Sequence, residues 1–234
     1  MPVPEPPASG SPALGSHASD RAALLTSAAW SAAAAGLLAV AALPMGLRIL
    51  AAVVLWHVVV AAVGTVRRDA AWASAYALVA PMSLLLVLPD EFLAVGLGTI
   101  VFPDTGAPFL DRIPLFMAGM WAIPLSAIVF AGRAAERRAG PAWGVAAGTA
   151  VGLALFAGSE AFSGALPVWE PVGVPMWGPL AAYVLPAEAV LSATTVLADR
   201  WARGRPVWQR VLAGAFVVQA YVGGLAVGWL LLGR

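Results

Sequence analysis

Two glutamates lie in apolar stretches of this chain, Glu160 within residues 142–162 and Glu188 within 176–197. A third carboxylate, Asp104, sits in the stiff turn Phe102-Pro103-Asp104-Thr105-Gly106-Ala107-Pro108-Phe109. A charged side chain in hydrocarbon costs about 2.5–3.5 kcal/mol even on lenient insertion scales, so such groups mark function by default. In a low-dielectric site a carboxyl is favoured as the neutral acid, and a neutral acid there is a capable proton donor. Glu160, Glu188 and Asp104 are therefore the candidate acid and partner for adding a proton to an electron-rich alkene.

Spacing assigns each candidate an orientation. Gly144, Gly148, Gly152, Phe156 and Glu160 recur every four residues, which puts a small-residue packing face and the glutamate on one helical stripe. Trp177, Ala181, Val184 and Glu188 share a second stripe, with Glu188 about twelve residues into its span and Pro186 expected to break the backbone ladder beside it. Asp90 and Glu91 are adjacent, so at most one of them enters a common site. Glu170 stands in a second stiff turn, Pro167-Val168-Trp169-Glu170-Pro171. With Trp56, Tyr76, Trp121 and Tyr183, these three acids are candidate substrate-binding groups, since aromatic faces stabilise cations by a kcal/mol or more when dry. Each group has a structural alternative: Glu160 as a hydrated helix end, Glu188 bonded to a freed carbonyl, Asp104 as an Asx-turn, the aromatics as packing. His57, next to Trp56, is either a hydrogen-bonded structural group or a proton relay.

The elements that must hold these groups are membrane helices. The 234 residues are 61% hydrophobic and 11% charged, with a mean hydropathy of +0.87. That is too little charge to cover a soluble surface, and the apolar runs have helix-spanning length. The expected fold is an all-α bundle of about seven transmembrane helices, near 22–42, 47–66, 71–88, 113–132, 142–162, 176–197 and 211–232. It forms one domain over 21–234 behind a disordered Pro/Ser/Gly-rich tail at 1–20, which lacks a signal-peptide pattern. With the N-terminus inside, ten of the thirteen arginines fall on the inner side and three on the outer side. Tryptophans mark both interfaces. The outer connection 89–112 carries an apolar middle too short to span, and is expected to be re-entrant or interfacial.

Absences narrow the chemistry. There is no cysteine, no lysine and no asparagine, only two histidines, and no aspartate-rich diphosphate-binding run. These omissions argue against thiolate or paired-histidine metal sites, a retinal Schiff base and Mg²⁺-dependent prenyl transfer. No metal or other cofactor is expected. No basic cluster of groove size suggests nucleic acid.

The stretch Thr105-Gly106-Ala107-Pro108-Phe109, followed by Ile113-Pro114-Leu115 and Trp121-Ala122-Ile123-Pro124-Leu125, resembles the carotenoid-biosynthesis family of bacterioruberin-type hydratases. Gly173-Val174-Pro175 resembles a later turn of that family. The plan of seven spans with intramembrane acids is also similar to integral-membrane terpene cyclases. The resemblance implies an isoprenoid-modifying enzyme that protonates an alkene, giving cyclisation or hydration. It implies a lipid-soluble isoprenoid substrate and a prenyltransferase in the same pathway. Location in a bacterial cytoplasmic membrane, as a multi-pass protein, follows as an expectation. Two rival readings are a small proton-coupled transporter, with a path reaching both faces, and a non-catalytic membrane protein, with carboxylates that do not converge.

Overall fold

The computed structural model describes residues 26, 29–39, 42–66, 68–162 and 168–233. The N-terminal tail, His17, Arg21, Arg67, Arg234 and Ser163-Gly164 lie outside the described residues. The fold is an all-α membrane-type bundle. Five stretches are long and apolar enough to cross a membrane: 45–66, 70–97, 117–139, 141–161 and 207–232.

Local rules explain where the helices begin and end. Helix α1 (Ala29–Ala39) is fastened to α2 (Met45–Val66) by the Trp30 Nε1–H, which donates to the Ala52 carbonyl at 3.0 Å. Helix α3 (Ala70–Leu85) starts at Asp69, whose carboxylate accepts the Ala71 and Trp72 amides and satisfies two orphan donors. It runs on through α4 (Val87–Glu91) and a π-helix (Phe92–Leu97), ending at Gly98 with φ 64°. The interruption at Leu86 has a simple cause, because Pro89 has no amide to offer the Leu85 carbonyl. After the short α5 (Met117–Met120), α6 (Ala122–Ala139) stops at Gly140 with φ 93°, and Pro141 opens α7 (Pro141–Ala161) in a position where its missing N–H costs nothing. Helices α8 (Val184–Ala202) and α9 (Val207–Leu232) complete the bundle.

Consecutive helices pack as neighbours, α6 on α7, α7 on α8 and α8 on α9, and α3 closes the ring against α9 and α6. Helix α2 lies against α3 and α5. Outward faces are greasy: Val54, Val58, Leu84, Phe216 and Leu231 are all exposed, as lipid-facing side chains are.

One end of the bundle is capped by three two-stranded ladders. They are β1 (Ile100–Val101) with β4 (Glu170–Pro171), β2 (Phe109–Leu110) with β3 (Ile113–Pro114), and β5 (Met176–Trp177) with β6 (Leu180–Ala181). The opposite end gathers Arg68, Arg133, Arg137, Arg138, Arg200, Arg203, Arg205 and Arg210, whereas Arg48 and Arg112 lie at the capped end.

Residues 89–97 continue the helix, and 98–112 form a turn and part of the cap. Two expected spans are corrected here. The span expected at 113–132 begins its long helix at Ala122 and runs to Ala139, because Ile113-Pro114 pairs as a strand. The span expected at 176–197 begins at Val184, because Gly178 (φ 62°) and Pro179 turn residues 176–181 into a hairpin. Glu188 is thus the fifth residue of α8, near the capped end and not at mid-span. Pro186 occupies the first turn, where it frees no carbonyl deep in the membrane.

Candidate functional site

Asp90 is 3% exposed and accepts a hydrogen bond on Oδ2 from the Trp121 indole at 3.0 Å. Trp121 stands at the junction of α5 and α6, and Ser83 on α3 pins that junction. The Ser83 hydroxyl donates to the Ala118 carbonyl and accepts the Ala122 amide, both at 3.0 Å. The Trp121 ring meets Phe156 of α7 at 5.6 Å and Tyr221 of α9 at 6.0 Å between centroids. Four helical segments therefore converge on one indole.

These groups open onto a cavity of about 770 Å³, a volume typical of small-molecule sites. Asp90, Glu188, Trp121, Phe156 and Tyr221 line its capped end, Trp56 its middle, and Phe130, Ala134 and Arg138 its arginine-rich end. Glu188 is 4% exposed, and its Oε2 has no hydrogen-bond partner among the described residues. Asp90 has a donor and Glu188 Oε2 has none, an asymmetry that separates their possible roles.

Glu160 is 1% exposed and shares the same end of the bundle. Its Oε2 accepts the Ala181 amide at 2.9 Å, while Oε1 is unpartnered among the described residues. Ala181 belongs to β6, which leads directly into α8. Glu160 therefore anchors the strand that sets the start of the Glu188 helix, and it is not part of the cavity wall.

The remaining sequence candidates divide cleanly. Trp56, Trp121, Asp90 and Glu188 line the cavity. Asp104 does not: it is exposed, and its carboxylate accepts the Gly106 amide at 2.9 Å in an Asx-turn. Pro103 and Pro108 stiffen that turn but aim it outwards. Glu170 is exposed on β4, and Glu91 is half-buried beside Asp111 and Arg112, so of the adjacent acids only Asp90 reaches the site. Tyr183 is fully buried but donates to the Thr99 hydroxyl at 2.8 Å, bracing the cap. Tyr76 is occupied with His57, whose Nδ1 lies 2.8 Å from the Tyr76 hydroxyl. His57 Nε2 faces the Gly119 carbonyl at 3.1 Å, so Nε2 carries the hydrogen and Nδ1 accepts from Tyr76. This is the arrangement of a structural histidine, tying α2 to α3 and α5.

Sequence reasoning left out Phe130, Met117, Trp72 and Arg138, all of which line the cavity. Their apolar or loop-edge surroundings carry no signal that separates them from ordinary packing or a snorkelling arginine.

A family model described as Domain of unknown function (DUF6989) matches residues 87–232. No curated protein and no solved structure matches the chain.

Proposed function

The chain belongs to the DUF6989 family, whose matched stretch contains Asp90, Trp121, Glu188 and Tyr221, and from that shared core we propose a membrane-embedded enzyme that protonates an alkene of a lipid-soluble terpenoid. The observation that carries this reading is the pairing of two buried carboxyls, from α4 and α8, on one apolar, aromatic cavity. The short-motif resemblance to isoprenoid hydratases and the likeness to terpene cyclases point the same way.

Glu188 is the proposed donor. No described group donates to its Oε2, so nothing there favours a carboxylate over the acid. Asp90 is the proposed partner carboxyl, because the Trp121 indole donates to its Oδ2 and fixes it on the cavity wall. Transfer of the Glu188 proton to the less substituted alkene carbon leaves a tertiary cation between the Trp121, Phe156 and Tyr221 rings. Desolvated aromatic faces stabilise such a cation by about 2 kcal/mol. Attack by a second double bond closes a ring, and loss of a proton to a carboxylate restores the acid; that outcome is an isomerisation. Attack by water gives a tertiary alcohol and returns a proton in the same way; that outcome is a hydration.

The test is incubation of the purified protein, in nanodiscs and D₂O, with a panel of linear polyprenols and polyprenyl quinones. Product carrying one deuterium at a former alkene carbon is expected. E188Q and D90N should retain folded, monodisperse protein and lose that product. Undiminished deuterium incorporation in both variants removes the acid-donor mechanism.

One observation favours a second reading. The cavity wall extends from Asp90 to Arg138 at the opposite end of the bundle, as the path of a proton-coupled carrier does. Uptake of an unmodified isoprenoid or other solute into proteoliposomes, driven by a proton gradient and without chemical change, selects the carrier.

A further inference from the structure

The cavity is long, with two acids at one end and an arginine at the other. Trp121 and Arg138 both line it and stand 17 residues apart on nearly continuous helix, about 25 Å at 1.5 Å per residue. The wall is almost wholly apolar between its ends. Asp90 and Glu188 stand at one end and Arg138 at the other.

Arg138 differs from Arg133, Arg200, Arg203, Arg205 and Arg210. Arg133 and Arg203 engage Asp199, and Arg200 and Arg203 engage Glu136. Arg205 stacks on Trp201 with its guanidinium 3.9 Å from the ring centroid, and Arg210 bonds the Arg205 and Ser74 carbonyls. Arg138 has no hydrogen bond or ion pair among the described residues, yet it lines the cavity. An exposed guanidinium free of protein acceptors at the end of a long apolar cavity matches an anionic head on a long tail. The lining of the far end carries two acids and no cation, so the two ends together fix one binding direction.

We propose that the cavity binds a single-chain polyprenyl lipid with a phosphate-type head at Arg138 and its distal alkene at Asp90 and Glu188. This deepens the enzyme reading and rests on it, by naming the substrate class and the end of the molecule that reacts. At four chain bonds per isoprene, about 25 Å holds about four or five units, so a three-unit chain anchored at Arg138 falls short of the acids.

Binding is testable without turnover, through quenching of the cavity tryptophans in the full chain held in phosphatidylcholine nanodiscs. Geranylgeranyl monophosphate should bind at least about tenfold more tightly than geranylgeraniol. R138Q should erase that preference while leaving geranylgeraniol binding as it was, and R138K, which keeps the charge, should restore much of it. Farnesyl monophosphate should bind through the head yet give no deuterated product. Equal affinity for phosphate and alcohol overturns the proposal, as does a preference untouched in R138Q. Abolition of geranylgeranyl monophosphate binding by phosphatidylglycerol in the nanodisc also overturns it, because the occupant is then a bilayer phospholipid. Failure of the phosphate preference with deuterium incorporation intact sinks the headgroup assignment alone. The preference intact with no turnover of any substrate sinks the acid chemistry alone.

Discussion

The Trp121 indole does two things for the site: its N–H holds Asp90, and its face lies towards the space where a cation would form. W121F separates them, since it keeps an aromatic face and removes the donor. Leaving a buried carboxyl oxygen without its donor costs about 1–3 kcal/mol, so the thermal midpoint in detergent should fall. Turnover should drop by about tenfold or more as the Asp90 carboxyl loses the donor that positions it. D90N placed on W121F should add little further loss, because both changes break one coupled pair. Full additivity would show that the indole and the carboxyl act separately. At this scale the sequence spoke unevenly. Adjacency limited the pair Asp90 and Glu91 to at most one residue in a common site, because neighbouring side chains diverge on a helix. Which one enters depends on the helix continuing past Pro89, and hydropathy does not reveal that. Asp104 misled for the opposite reason: a rigid turn fixes a carboxylate's direction, but local sequence does not say whether that direction is inwards.

Among the elements, α7 was the most legible. Its buried residues are Gly144, Gly148, Gly152, Phe156 and Glu160, the stripe that four-residue spacing defines. The stripe works by close approach. A Cβ on Gly152 would fall on the Ser192 hydroxyl of α8, and one on Gly148 on the Val196 side chain. G152L should therefore push α8 away and shift Glu188 with it, at a cost of about 1–3 kcal/mol or more, read as a lower thermal midpoint together with lost turnover. G158L on the same helix is the control, since nothing lies within 4 Å of a Cβ there. The start of α8 was less legible, because residues 176–183 are as apolar as a helix and only Gly178-Pro179 announces the turn. The ion pair that locks α6 to α8 was not singled out beforehand. Arg133 reaches Asp199 through Nε at 2.9 Å and Nη2 at 2.6 Å, and gives Nη1 to the Ala71 carbonyl at 2.7 Å. Both partners are buried, so D199A strands a charge and should cost about 3–5 kcal/mol, while R133M/D199L should recover most of the stability. A thermal midpoint for D199A equal to that of the parent would remove this pair as a clamp. Arginine content alone could not mark the pair, because a buried arginine and a snorkelling one look alike in a helix-end sequence.

For the whole molecule, the two ends have opposite characters, and the reaction proposed here depends on which end faces which compartment. Among the described residues, eight arginines gather at the end away from the acids and two lie at the capped end. The positive-inside rule then predicts that the β-capped end and its acids face outwards, with Arg138 at the cytoplasmic interface. An anionic lipid head made in the cytoplasmic leaflet would meet Arg138 without crossing the membrane, and its tail would carry the alkene to Glu188. The chain contains no cysteine, so single introduced thiols report topology without background. D104C, in the exposed turn of the cap, should react with an impermeant maleimide on intact cells. R205C, in the exposed turn between α8 and α9, should react only after permeabilisation. The reverse pattern would turn the bundle over and place the acids at the cytoplasmic face. Arg138 would then lie at the outer leaflet, and a cytoplasmically made phosphate head would need to be carried across the bilayer before it could bind.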